Sequence, residues 1–155
     1  MSTRTALVAI ALLLLGIAIV SPHGSSSKGP YAADIVRSPG VLNPDVTQET
    51  INATICLHGW TKTIRPPTSY TNDLKRKQMR EYGVGGSLSD YQEDHLISLE
   101  LGGHPTDPRN LWPEPYPRAS EVDSIENELN AKVCAGELLL ADAQRKESEL
   151  KHTDG

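Results

Sequence analysis

The sequence predicts an α+β fold: a small core of strand, loop, strand and helix, preceded by an extended region and a further helix. Three observations carry that expectation. Residues 91–115, "YQEDHLISLELGGHPTDPRNLWPEP", hold two short apolar runs separated by a turn-rich connection. Residues 119–136 follow with apolar side chains at helical spacing. Residues 71–83, "TNDLKRKQMREYG", have the composition of a helix that closes on a glycine.

At 155 residues the chain allows one modest domain, and its beginning reads differently from the rest. "ALVAIALLLLGIAIV", residues 6–20, is an uncharged apolar run behind a single basic residue, Arg4. It matches the core of a secretory signal and is short for a spanning helix. Ala18, Ile19 and Val20 put bulky residues where a cleavage site wants small ones, so an uncleaved anchor stands beside a cleaved signal. Residues 1–22 are therefore read as signal peptide or signal anchor, 23–36 as a Ser/Gly/Pro-rich linker, and 37–150 as the domain. The expected location is periplasmic or secreted, or the inner membrane if residues 6–20 stay attached. In such an oxidising setting Cys56 and Cys134 read as a disulfide, with two buried free thiols as the alternative. Closing so long a loop stabilises by roughly 4 kcal/mol in the chain-entropy description. No CxxC occurs, which excludes a four-cysteine zinc site.

The elements follow in order. "SPGVLNPDVTQETINATIC" mixes turn-forming and β-branched residues and reads as extended loop or short strand. "GWTKTIRPPTSY" reads as extended, stopped by Pro66-Pro67. The helix of residues 71–83 takes Thr71 or Asn72 as its cap and Gly83 as its stop. "VGGSLSD" is a loop. His95, Ile97 and Leu99 alternate with Leu96, Ser98 and Glu100 as in a short, largely buried strand. "GGHPTDPR" is a connection in which Gly102-Gly103 supply positive φ. "NLWP" opens a second short strand that Pro113 halts. In the last helix Val122, Ile125, Leu129 and Val133 form an apolar stripe, Ser120 caps and Gly136 terminates. Glu126, with Asp123 and Asn130, lies on the flank of that stripe, where the helix meets the hairpin.

The net charge of −5 argues against a general nucleic-acid coat protein, but its distribution is uneven. Lys62, Arg65, Lys75, Arg76, Lys77 and Arg80 gather against the single Asp73, whereas acids dominate from Ser120 onward. A basic lobe beside an acidic one suits a polyanion held next to a cation; a solvated helix face is the plainer alternative.

The combination of "EDHLISLELGG" with "PRNLW" resembles the Asp-His and Asn signatures of HNH nucleases, whose core is a ββα-metal finger. More narrowly, "TIC", "GWT", "IRPP", "LKRKQMREYG", "DYQEDHLISLELGG", "RNLWPEP" and "VCAG" resemble a group of small exported bacterial HNH-like proteins, over about residues 38–145. The resemblance implies that His95 is a general base and Asp94 a metal ligand, while Asn110 orients the imidazole or braces the loop. It implies nucleic acid as the partner, DNA ahead of RNA, and the uneven charge offers Lys75, Arg76, Lys77 and Arg80 as its contacts.

The chemistry accounts for these residue types. Phosphodiester hydrolysis needs an activated water and positive charge against the phosphate, supplied by a histidine and a divalent ion. A hard ion, Mg²⁺ or Mn²⁺ with Zn²⁺ as the alternative, suits carboxylate oxygens. The helix lacks the histidine with which HNH enzymes usually complete the site, so Asp123 is the expected substitute, then Glu126, then Asn127. His104 is expected to be solvent-exposed rather than a ligand. In a regular strand the adjacent Asp94 and His95 point to opposite faces, so a bulge or a strand end must bring them together. The expected activity is metal-dependent endonuclease; the alternative is a non-catalytic envelope protein that uses the same scaffold for binding.

Overall fold

In a computed structural model, which describes residues 32–154, the chain is an α+β unit of helices around one two-stranded antiparallel sheet. The order is α1 (Trp60–Ile64), α2 (Thr68–Tyr82), β1 (Tyr91–His95), β2 (Leu111–Pro115), α3 (Arg118–Cys134) and α4 (Leu140–Thr153). The signal or anchor, residues 1–22, lies outside the described residues, as does most of the 23–36 linker. Among the described residues no helix is long and apolar enough to cross a membrane.

Several local expectations change. Residues 60–64 are helical rather than extended, because Gly59 turns into the helix at φ +82° and the Thr63 hydroxyl bonds back to the Trp60 carbonyl. α2 starts at Thr68, three residues before Thr71, since Pro67 provides the extended residue at its head and its carbonyl accepts from Tyr70 and Thr71. Likewise α3 starts at Arg118 behind Pro117, which makes Ser120 part of the helix and not its cap. Around Leu42 there is only an isolated bridge to Gly103, and residues 51–53 form a 3₁₀ turn.

The hairpin is shifted as well. β1 ends at His95 where a strand through Glu100 was expected, and Leu99–Leu101 is a 3₁₀ turn. Leu96 and Ile97 are both buried because the chain is leaving the sheet there, so neighbouring side chains are no longer sorted onto opposite faces. Pro113 does not halt β2. The bonds from Leu96 N–H to the Asn110 carbonyl (2.8 Å) and from Tyr116 N–H to the Asp90 carbonyl (2.9 Å) set the phase of the ladder. With Asp94 opposite Trp112 and Glu93 opposite Pro113, both Pro113 and Pro115 fall at unbonded positions, their nitrogens turned away from β1.

The main core gathers Val46, Ile51, Ile55, Ile97, Leu101, Leu129, Val133, Leu140 and Ala143. Cys56 and Cys134 are disulfide-bonded across 78 residues, tying this core's N-terminal loop to the end of α3. A smaller core joins Ala33, Leu96 and Trp112, with Tyr82 against it. The packed unit extends past 37–150 at both ends: Ala33, inside the segment read as linker, is buried and donates to the carbonyl of Lys151 (2.7 Å), just beyond the expected end of the domain. α4 buries Leu140, Ala143, Glu147 and Lys151, one inward stripe with two charged members.

Candidate metal and hydrolysis site

Because β1 stops at His95, the side chains of Asp94 and His95 both reach one cleft, as a strand end allows. The cleft has a volume of about 330 Å³ and lies between α1, β1, the loop after β1 and the N-terminal half of α3. Gln92, Asp94 and His95 line it from β1, Asp123, Glu126 and Asn127 from α3, and Arg65 from the end of α1. A second cleft of about 300 Å³ shares Arg65, Gln92, Asp94 and His95 and adds Glu93 and Thr68, so His95 is approached from two sides.

The His95 ring has a defined tautomer. Its Nε2 lies 3.0 Å from the Pro105 carbonyl, which can only accept, so Nε2 carries the proton. Nδ1 is then a lone pair; it has no protein partner among the described residues and is not sealed from solvent. Burial lowers the pKa of His95, only partly offset by the Pro105 bond and by Asp94, so the ring is neutral at neutral pH. A neutral imidazole with an open Nδ1 can take a proton from water.

Asn110 is fully buried and makes four bonds, all to backbone. Its Oδ1 accepts from Ile97 N–H (3.0 Å) and Val41 N–H (3.3 Å), and its Nδ2 donates to the Ile97 and His104 carbonyls (both 3.0 Å). Of its two expected roles these are the bonds of the loop brace; none reaches the imidazole. Gly103 is held in the same knot, where a Cβ would lie 1.7 Å from the Ile97 carbonyl oxygen. Gly103 is needed for closeness and Gly102, at φ +80°, for its backbone. His104 Nδ1 accepts from Thr106 and Asp107 N–H (3.2 and 3.0 Å), which occupies it in the turn.

Asp94, Asp123 and Glu126 each offer an oxygen, and the three ligand atoms lie within 4.8 Å of one another. These are hard donors that fit a hard divalent cation. Asp123 is exposed on the cleft, and Asp94 and Glu126 are buried beside it. The Gln92 amide donates to Asp94 Oδ1 (3.2 Å) and reaches Asp123 Oδ1 (3.5 Å), linking the two walls. Asp94 pairs with neither Arg80 nor Arg109, the latter being held by Asp107 at 2.7 Å.

The partner of Asp94 is one that the sequence reading passed over. Lys151, fully buried in α4, donates to Asp94 Oδ2 (2.6 Å), Glu126 Oε1 (2.5 Å) and the His95 carbonyl (2.6 Å), and Glu147 Oε1 lies 3.4 Å away. Burial opposes its charge, but Asp94, Glu126 and Glu147 outweigh burial and push its pKa well up. For Asp94, burial opposes ionisation and the Lys151 ammonium overcomes it, so the pKa falls and the carboxylate is ionised. Burial raises Glu126 in spite of Lys151. Glu114, fully buried on β2, is pushed up to about 9 by burial and by the charge of Asp94; it is protonated at neutral pH and hydrogen-bonds Asp94. Glu147 and Lys151, four apart on a helix, looked like an ordinary surface pair; the only signal was their place on the Leu140–Ala143 stripe.

The basic run divides. Lys75 is buried and spends its ammonium on the Leu88 (2.8 Å) and Tyr91 (2.7 Å) carbonyls, so it does not belong to an exposed basic face as expected. Arg76, Lys77 and Arg80 are exposed, Arg76 paired with Asp73 and Lys77 with Glu81. Trp112 is buried in the smaller core, and Trp60 packs, half-buried, against the main core. No family model matches the chain, and no curated protein or solved structure matches it either.

Proposed function

We propose that this chain is a metal-dependent endonuclease of HNH type, hydrolysing phosphodiester bonds in nucleic acid, DNA ahead of RNA. The observation that carries the reading is His95: a neutral imidazole with an open Nδ1, set beside three converging carboxylates in one polar cleft. Asp94, Asp123 and Glu126 would hold the ion, Mg²⁺ or Mn²⁺ with Zn²⁺ as the alternative. When bound, it supplies positive charge against the phosphate and the leaving oxygen. His95 Nδ1 accepts the proton of the attacking water, and the Nε2–H bond to Pro105 steadies the ring as it becomes cationic. Arg65, lining both clefts, faces an incoming phosphate, and Arg76, Lys77 and Arg80 extend the basic side along α2. The hairpin followed by α3 is in this reading the ββα-metal finger. The Cys56–Cys134 bond accords with a periplasmic or secreted place of work.

The test is nicking of supercoiled plasmid by the chain with Mg²⁺, Mn²⁺ or Zn²⁺. Metal-dependent nicking, lost at least about 100-fold in a folded His95→Ala variant, is the expected outcome. One observation favours a second reading, a non-catalytic envelope scaffold: the Lys151 ammonium already balances Asp94 and Glu126 without an ion. Folded wild-type protein that cleaves with none of the ions would select it.

A further inference from the structure

Lys151 does more than fill space in the carboxylate cluster. Its nitrogen is surrounded by four oxygens, from Asp94, Glu126, Glu147 and the His95 carbonyl, at 2.5–3.4 Å. An ammonium has three N–H donors, and the three shortest contacts use them all. The shell is therefore an oxygen cage around a single positive charge, the arrangement a bound cation also takes.

The oxygens around this cage outnumber the donors. Glu147 is 1% exposed, one of its oxygens accepts from Ser98 N–H (2.9 Å), and its Oε2 is sealed from solvent with no donor among the described residues. Glu114, 0% exposed, gives its proton to Asp94, and no other group among the described residues bonds its carboxyl oxygens. Glu147 comes from α4, so the demand for a cation does not arise from the three cleft carboxylates alone. On the other side, Asp94 Oδ1 accepts from the Gln92 amide, and Glu126 Oε2 has no bonding partner among the described residues and is not sealed. Asp94 and Glu126 thus each turn one oxygen inward to Lys151 and keep one for the cleft. A carboxylate shared in this way between two cations is the bridge found in two-metal sites, where the ions lie about 3.5–4 Å apart.

We propose that the Lys151 ammonium holds the place of a second cation, so that the site takes one divalent ion and gains a position for another when the ammonium is removed. The inference rests on the metal reading of the cleft. It assigns Lys151 as a positioning residue that sets the number of ions, with no contact to the nucleic acid.

The experiment is Mn²⁺ titration of the full chain by calorimetry, with the electron paramagnetic resonance spectrum recorded at each equivalent, for wild type, Lys151→Ala and Lys151→Met. Wild type is expected to bind one ion, and Lys151→Ala two, with the broadening of a coupled Mn²⁺ pair. Lys151→Met fills the same space with an apolar end and is expected to bind no more than one. If Lys151→Ala is unfolded without metal, Mn²⁺ is expected to refold it; a variant that stays unfolded in saturating Mn²⁺ would overturn the proposal. One ion in both wild type and Lys151→Ala overturns it and leaves the metal reading intact. Two ions in Lys151→Met would place the second ion elsewhere and also overturn it. No ion in wild type overturns the metal reading itself.

Discussion

Among the described residues two lysines are buried, and they differ in what they touch. Lys75 in α2 donates to two backbone carbonyls, those of Leu88 and Tyr91, and so clasps the entry to β1 against the helix. Lys151 in α4 donates to two side-chain carboxylates and one carbonyl on the far side of the cleft wall. A carbonyl is a dipole that remains tolerable when its donor is lost, whereas a buried carboxylate left without its counter-charge is not. The same side chain therefore acts as a local fastener in one place and as the charge balance of a candidate site in the other.

Replacement of each lysine by methionine separates the roles. Lys151→Met is expected to lose about 3–5 kcal/mol in urea denaturation, because it strands Asp94 and Glu126 in the interior. Lys75→Met leaves two carbonyls without a donor and is expected to lose about 1–3 kcal/mol, with Mn²⁺ affinity unchanged. Equal losses, or a loss of ion binding with Lys75, would erase the distinction.

A smaller effect sharpens the contrast from the acidic side. Glu114 has a folded pKa of about 9 against an ordinary 4.5, so the folded state binds its proton more tightly than the unfolded chain does. Its contribution to stability is fully present below pH 4.5 and is lost as pH rises towards 9, at up to about 1.4 kcal/mol per pH unit. Glu114→Gln keeps a hydrogen-bond donor towards Asp94 and cannot ionise. Its stability is expected to fall less steeply than that of wild type between pH 5 and 9, measured by denaturation at a series of pH values. Parallel slopes would mean that Glu114 is not the buried acid.

The two regions were not equally legible in the sequence. Asp94, His95 and Asn110 stood out because an Asp-His pair, a double glycine and an Asn in so short a span is an uncommon combination. The stripe of α3 was legible because Val122, Leu129 and Val133 repeat at the helical period, and the even cysteine count pointed to the disulfide. The end of β1 was hidden, since an alternating run looks the same whether it continues as strand or curls into a 3₁₀ turn after His95. α1 was hidden by threonines and flanking prolines, which favour extended chain until a glycine at positive φ starts a turn. Lys151 was hidden most completely. Lysine on a polar helix is nearly always at the surface, and only the tertiary placement of α4 over Asp94 buries it. Lys75 misled for the same reason, as one member of a basic run that turns inward while Arg76 and Lys77 stay outside.

On the metal reading, the exposed mouth of the acidic region binds a divalent ion through oxygens that Lys151 leaves free. Asp123 tests it most directly, because it lines the cleft, is exposed and makes no bond to Lys151, so its loss does not disturb the buried charges. In calorimetric Mn²⁺ titration, Asp123→Ala is expected to bind at least about 10-fold more weakly than wild type while its thermal midpoint without metal stays the same. Wild-type affinity in Asp123→Ala, or wild-type protein that takes up no ion at all, would contradict the assignment.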